Sequence, residues 1–241
     1  MQRPKILLWD LETGGVQALR ASLGMVLCFG YKWYGEKEVY CKTVNQFPGW
    51  FNPARPFPID DTPLIKFGLK IMEEADLLVA HYGDKFDRRF FQGRCAMNNL
   101  PPPPPTKQRD TWRVARTAFN FHSNRLGDLA IHLGLKEKKH QKTRDEWPGW
   151  WLQAMAGNAS KIGAMAKYCA QDVRTLEGIY RRIRVYDNPH PRMYINRNYC
   201  RLCGGAVQYR GVAYVGENVY RRYRCTRCQK WDRERTKIKD D

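Results

Sequence analysis

The chain has 241 residues and carries 42 Lys plus Arg against 24 Asp plus Glu, a formal net charge of +18, so it can bury one good core with enough chain left for a small appended unit. Residues 181–241 alone hold +10 of that excess, which points to a polyanionic partner, nucleic acid before all others. No apolar run is long enough to span a bilayer and the N-terminal stretch has no signal-peptide pattern, so no membrane partner is expected and the cytoplasm is the expected compartment.

Residues 6–15 read Ile-Leu-Leu-Trp-Asp-Leu-Glu-Thr-Gly-Gly, an apolar run closed by a glycine pair and therefore a strand buried in a sheet. Side chains alternate along a strand, which puts Asp10 and Glu12 on one face and Leu11 on the other. Two neighbouring carboxylates repel and are costly to desolvate, and a hard divalent cation between them removes that cost. Asp-x-Glu alone serves equally well as a solvated acidic turn, so further carboxylates must decide. Residues 22–34 read as a second strand, 35–38 as a polar turn and 39–43 as a third strand paired with the second. The Pro-rich stretch 48–63 reads as a loop that leads into a helix, with Asp61 as N-cap and Pro63 in the first turn. Residues 77–80 form a short buried strand, and 81–87 turn from it into a helix that runs to Asn98.

Five consecutive prolines, Pro101 to Pro105, read as a stiff connector, with an SH3 ligand as the alternative. Residues 110–119 and 126–135 read as helical segments around a polar loop. Trp147, Trp150 and Trp151 follow, with packing favoured over base stacking. A long helix spans 158–184, its apolar stripe made by Ile162, Met165, Ala166, Cys169, Val173, Leu176, Tyr180 and Ile183. Strands first, then helices alternating with a strand, indicate an α/β domain over residues 1–186. Residues 187–196 read as its linker. Eight cysteines in a reducing compartment are not a disulfide framework. Four of them, Cys28, Cys41, Cys95 and Cys169, stand singly among hydrophobes and read as inert core residues.

Further acids arrive at two places. Asp87 sits at the junction of a strand end and a helix, where α/β folds build their sites. Tyr168 and Asp172 are four residues apart on one helix and point the same way. They flank the apolar stripe, so both lie against the sheet, where an Asp needs a partner. Asp10-x-Glu12, Asp87 after Gly-x-x-Phe, and Tyr168-x-x-x-Asp172 together resemble the three motifs of the DEDD exonucleases, in their order. Tyrosine at position 168 selects the tyrosine subclass, since the histidine subclass would carry His where this chain has Lys167. Within it the chain is most similar to stand-alone, often phage-encoded members related to the proofreading domains of family B polymerases. Asp110-Thr111-x-x-x-Ala115-Arg116 and Phe121-x-Ser123-Asn124-x-Leu126 look like the connecting segments of that group. The resemblance covers roughly residues 5–185. One position departs from it: many relatives carry Asn before the Gly of the second motif, and this chain has Tyr82.

The resemblance implies a ribonuclease H-like mixed sheet flanked by helices, and metal-dependent 3′-to-5′ removal of nucleotides. It implies two Mg2+ or Mn2+ ions, with Asp10 bridging them, Glu12 and Asp172 completing the site that activates water, and Asp87 supporting the second ion. Tyr168 would orient the attacking water, because a phenol with an ordinary pKa near 10 is a poor general base.

Cys200-x-x-Cys203 and Cys225-x-x-Cys228, separated by 21 residues, have the spacing of a four-thiolate zinc ribbon over residues 197–241. Four thiolates leave no open position, so one structural Zn2+ is expected, supplying folding energy that so short a segment lacks. Arg221, Arg222, Arg224, Arg227 and Lys230 surround the second cysteine pair, with Tyr220, Tyr223 and Trp231 interleaved. That is the composition of a nucleic-acid-binding ribbon, with a solvated basic face as the alternative. The whole reads as a metal-dependent 3′-to-5′ exonuclease whose partner is nucleic acid, DNA favoured over RNA and single strands over duplex. A replication or repair protein is a further partner, and the cytoplasm is the host's if a phage encodes the chain. The alternatives are an exoribonuclease or structure-selective nuclease on the same fold, and a non-enzymatic nucleic-acid-binding adaptor.

Overall fold

The structure is a computed structural model and describes residues 4–55, 57–136, 146–194 and 198–238. It divides into two units, Met1–Arg182 and Ile183–Asp241. The first holds strands β1 (Ile6–Gly15), β2 (Gly24–Trp33), β3 (Tyr40–Thr43), β4 (Leu77–Ala80) and β5 (Gln108–Asp110). Its helices are α1 (Thr62–Glu73), α2 (Asp87–Met97), α3 (Thr111–Ala118), α4 (Leu126–His132) and α5 (Glu146–Met155), with α6 (Ala159–Ile183) ending at the division. The second unit holds β6 (Val207–Val215), β7 (Asn218–Cys225) and β8 (Trp231–Lys237).

The five strands of the first unit form one mixed sheet in the order β3-β2-β1-β4-β5. β1, β2 and β3 run antiparallel, and β4 and β5 add parallel to β1 on its other side. β1 is thus the central strand, and its apolar run is buried on both faces, with Leu7, Leu8 and Trp9 fully enclosed. On one face Trp9 packs on Phe29 and Phe91, and Phe29 on Phe67, at ring distances of 5.9 to 6.3 Å, which fastens α1 and α2 to the sheet. The other face receives α6. A mixed sheet with helices on both faces is the architecture expected from the sequence.

Asp61 precedes α1 as expected, but its side chain does not cap the helix. It is fully buried and instead accepts from Val26 N at 2.8 Å, Arg94 Nε and Nη2 at 2.9 and 2.7 Å, and Asn98 Nδ2 at 3.1 Å. A buried carboxylate is tolerated only when its acceptor sites are filled this way, so Asp61 ties β2, α1 and α2 together. Residues 108–110 form β5 although the sequence points to no strand there; three polar residues carry no apolar signal. Trp151 is partly buried against the core and donates from Nε1 to Thr13 O at 2.5 Å, a packing role. The side chains of Trp147 and Trp150 lie outside the described residues.

In the second unit β6, β7 and β8 form a three-stranded antiparallel sheet. Its buried cluster consists of Cys200, Leu202, Cys203 and Cys225, with Val185, Val207 and Cys228 packed against it. Tyr223 is buried as well, yet among the described residues the apolar surface enclosed in this unit is small for a self-sufficient core. Residues 187–194, expected as linker, lie in this unit, with Asp187 and His190 buried.

Candidate active site

β1 presents Asp10 and Glu12 on the face that α6 covers. Across the sheet Asp10 stands opposite Gly30 of β2, Gly30 opposite Cys41 of β3, and Glu12 opposite Cys28. Gly30 sets how closely α6 can approach: a Cβ there would lie 2.6 Å from Cys169 Sγ and 3.1 Å from a Val173 methyl. With only hydrogen at that point, α6 settles until Cys169 Sγ is 3.7 Å from both Asp10 O and Asp10 Oδ2. One ligand-type atom from each of Asp10, Glu12 and Cys169 then lies within 4.8 Å of the others.

The same helix carries Tyr168 and Asp172, both buried, one turn apart on the side turned to the sheet. Further along, Glu177 fixes α6 in place. It accepts from Gly35 N at 2.8 Å and pairs with buried Lys32 at 3.6 Å and with Arg181 at 3.6 Å. Tyr180 meets Tyr34 edge-on at 5.4 Å.

Asp87 begins α2 and reaches β1 through its Oδ1, which accepts from Leu11 N at 3.2 Å. Burial pushes its carboxyl up to about 7, against the pull of backbone N–H donors and with help from nearby Asp110. The loop before α2 is held by β5. Asp110 accepts from Tyr82 N at 2.8 Å and Asp84 N at 3.1 Å while also capping α3 through Trp112 N at 3.0 Å. Gln108 accepts from Trp9 Nε1 at 3.1 Å and donates to Asp84 Oδ1 at 2.9 Å. Gly83 is required here, since a Cβ would stand 2.4 Å from that of Ala80. Tyr82 has φ 62, a left-handed conformation in which Asn is at ease and Tyr costs about 1–2 kcal/mol. Its half-exposed ring meets Trp112 edge-on at 5.0 Å, and Arg116 lies 5.2 Å from the same indole.

The structure thus gathers Asp10 and Glu12 as the sequence leads one to expect, and adds Cys169. Asp87 borders that group through Leu11 N, and neither Asp87 nor Asp172 enters the 4.8 Å cluster. Cys169 is a buried core residue as expected, and it also borders the acidic pair. The closeness of Cys28, Cys41 and Cys169 holds the Cys41 thiol down and, together with burial, pushes those of Cys28 and Cys169 well up. Three of the four cysteines expected to stand singly therefore form one cluster against the acidic pair, while Cys95 is buried elsewhere. The signal in the sequence is positional: Cys169 follows Tyr168, and Gly30 is a glycine inside a strand.

The donor set suits a divalent cation. Two carboxylates share one strand face, and a third, Asp87, is a buried carboxyl whose ionised form needs a compensating charge.

The four ribbon cysteines fit zinc on geometry. Arms of about 2.3 Å in a tetrahedron give sulfur–sulfur edges of about 3.8 Å. Cys200 and Cys228 stand 3.7 Å apart, Cys203 and Cys225 3.6 Å, and all four sulfurs lie within 4.8 Å of one another. Cys225 Sγ accepts from Arg227 N at 3.3 Å and Cys228 N at 3.4 Å, which fixes its place in the second knuckle. Each knuckle turns at the residue after its second cysteine, Gly204 with φ 68 and Gln229 with φ 64.

The basic residues around the second pair serve in different places. Arg222 and Arg224 lie 5.0 and 5.9 Å from the Trp231 ring. Arg221 is exposed on β7, Arg227 donates to Cys203 O at 3.3 Å, and Lys230 Nζ donates to Val185 O at 2.9 Å.

A family model of the RNase H superfamily matches residues 7–184, about three quarters of the chain. The chain belongs to the RNase H superfamily. The ribonuclease H-like sheet expected from the motifs is therefore the one observed, with Asp10 and Glu12 on the central strand of an RNase H-like domain. Among solved structures, the family B DNA polymerase from the hyperthermophilic archaeon Pyrobaculum calidifontis is similar, with a TM-score of 0.58 and 14% identity. The likeness covers 76% of this chain and 25% of that one, so the chain spans about a quarter of the polymerase's length and shares the fold of that part. No curated protein matches the chain. Among the described residues no helix is long and apolar enough to cross a membrane.

Proposed function

We propose that the protein is a metal-dependent 3′-to-5′ exonuclease of the tyrosine DEDD type, acting on DNA with single strands preferred. The observation that carries this reading is the Asp10–Glu12 pair on the central strand of an RNase H-like sheet, met at Cys169 by α6, the helix that also carries Tyr168 and Asp172. Asp10, Glu12, Asp87 and Asp172 would hold two Mg2+ or Mn2+ ions. Bound there, such ions supply a nucleophile at neutral pH and neutralise charge on the attacking and leaving oxygens.

The chain's own residues position the rest. The Tyr168 hydroxyl orients the attacking water by hydrogen bond, with its ring fixed by burial. Asp110 holds the backbone N–H groups of Tyr82 and Asp84, and Gln108 the Asp84 carboxylate, which keeps the start of α2 in register with β1. The half-exposed Tyr82 ring, backed by Trp112, offers a face on which an unpaired base stacks. In the second unit a structural Zn2+ on Cys200, Cys203, Cys225 and Cys228 would order a sheet whose Arg221, Arg222, Arg224, Arg227 and Lys230 meet phosphates.

The test is digestion of end-labelled single-stranded DNA, duplex DNA and RNA with magnesium, with manganese and with a chelator. A 5′ label that shortens in steps, faster on single-stranded DNA and only with metal, is the expected result. A 5′ label released at once as mononucleotide would reverse the polarity, and no cleavage of any substrate would leave an adaptor.

A further inference from the structure

Between the two cysteine knuckles the second unit carries a cleft of about 380 Å³ that the sequence does not suggest. Arg192, Arg201, Lys230 and Arg233 line it, against the single carboxylate of Asp232, with Trp231 beside them. Arg201 follows the first zinc-type cysteine and Lys230 stands two residues after the last, so residues beside both knuckles line the cleft.

These cations are positioned largely by neutral groups. Lys230 Nζ is held by the carbonyls of Val185 at 2.9 Å and Asp187 at 3.3 Å. Arg233 lies 4.0 Å from the Tyr220 ring centre and donates to Glu234 O at 3.4 Å. Arg201 donates to Arg233 O at 2.5 Å and stands 3.8 Å from Asp232. Asp232 therefore faces more positive charge than it balances. Burial, then the nearness of Arg201 and Arg235, holds the Arg192 guanidinium below its ordinary range, as expected where like charges crowd without enough counter-charge.

Such a cleft fits an anion, and guanidinium forks favour a phosphate. Trp231 adds the second element. The residue is 48% exposed and its ring has Arg222 and Arg224 at 5.0 and 5.9 Å, an indole flanked by guanidinium groups on which a base can stack. The volume falls in the range of about 300–1,000 Å³ typical of sites for small ligands, large enough for one nucleotide. A base paired in a duplex cannot reach such a ring.

We propose that this cleft binds one unpaired nucleotide of a single-stranded nucleic acid, its phosphate on Arg192, Arg201 and Arg233 and its base on Trp231. The site rests on the reading of the protein as one that acts on nucleic acid, and adds residues outside the basic cluster on β7. It gives the ribbon a preference for single strands through stacking, where loose surface arginines would give only charge attraction.

The test is binding of a fluorescent 12-nucleotide single strand by the full zinc-loaded chain, without added magnesium or manganese so that turnover plays no part. Arg192→Gln and Arg233→Gln should each weaken binding several-fold and lower the slope of log affinity against log salt by about 0.7. Trp231→Ala should weaken it about tenfold with the slope unchanged, and Trp231→Phe should recover most of the loss. Zinc content measured on each variant separates the effect of one side chain from unfolding of the ribbon, and Arg210→Gln on β6 controls for general loss of charge. A 5′-mononucleotide should displace the strand at far lower concentration than inorganic phosphate. Equal displacement by both would make the cleft a free-phosphate site and overturn the assignment. So would folded, zinc-loaded cleft variants that bind as wild type does. Absent cleavage with these binding results intact would sink the nuclease reading and leave the cleft standing.

Discussion

At the residue scale the chemistry rests on side chains that are costly to keep where they are. Asp10 and Glu12 share a face beside buried Cys169, and Asp87 is enclosed to the point that burial pushes its carboxyl up to about 7. A packed core tolerates such groups when a function needs them. Asp10→Ala is expected to drop turnover to below about one hundredth of wild type, because even the removal of groups behind a metal ligand costs 10–100-fold. Substrate affinity should hold or improve, since a negative charge is removed near a polyanion. Turnover and a binding isotherm on the same preparation check both halves; near-normal turnover would end the metal-ligand assignment. Tyr168→Phe keeps the ring in its buried slot and removes one hydroxyl. A single-turnover rate lowered about tenfold or more with unchanged affinity is expected. A variant as fast as wild type would reduce Tyr168 to packing.

At the element scale the arrangement depends on how closely α6 approaches the sheet. Gly30 permits that approach, and Glu177 with Lys32 and Gly35 holds it further along. Gly30→Ala places a methyl 2.6 Å from Cys169 Sγ in a region where the helix backbone is pinned. The expected cost is about 1–3 kcal/mol of stability from overpacking. Activity should fall further than stability explains, because Tyr168 and Asp172 ride on the displaced helix. Thermal unfolding beside turnover, both at a temperature where the variant is fully folded, separates the two. Full activity in a folded Gly30→Ala protein would show that the spacing of α6 is not what sets the site. On the opposite face Asp61 works differently, as a buried acceptor hub for β2 and α2. It is legible in the sequence as the residue before a helix. Its partners, 33 to 37 residues away, are not, because hydrogen bonds at that separation leave no periodic trace.

For the whole molecule, charge and metal divide between the two units. The final 61 residues hold +10 of the +18, and their buried cluster is built mostly from the cysteines themselves. Zinc removal, or Cys225→Ser with Cys228→Ser, is therefore expected to unfold the ribbon while the RNase H-like domain still cleaves. Binding should weaken, and its salt slope should fall by roughly 2–3, at about 0.7 for each single-strand phosphate that the ribbon no longer neutralises. The comparison is a salt series on the intact protein and on a form lacking residues 190–241. An identical slope in the two would assign the basic ribbon to some partner other than nucleic acid.

The sequence by itself determined the features written in local spacing. Period-2 alternation put Asp10 and Glu12 on one face of a buried strand, and helical period put Tyr168 and Asp172 on one side of a helix. Cysteine pairs with two residues between them marked the ribbon, and an apolar run marked the first strand as buried in a sheet. Tertiary structure alone decided what meets across long separations. It joined Cys169 to Asp10 over 159 residues and gathered Cys28 and Cys41 beside them. It also made three polar residues into β5 and drew Arg192, Arg201 and Arg233 around one cleft. The reason is physical. Periodicity reports which side of an element is buried, through the free energy of removing apolar surface from water. Which buried groups then touch depends on how closely two elements approach, and here that distance is set by the missing side chain of Gly30, a residue whose own neighbours in sequence give no sign of the helix above it.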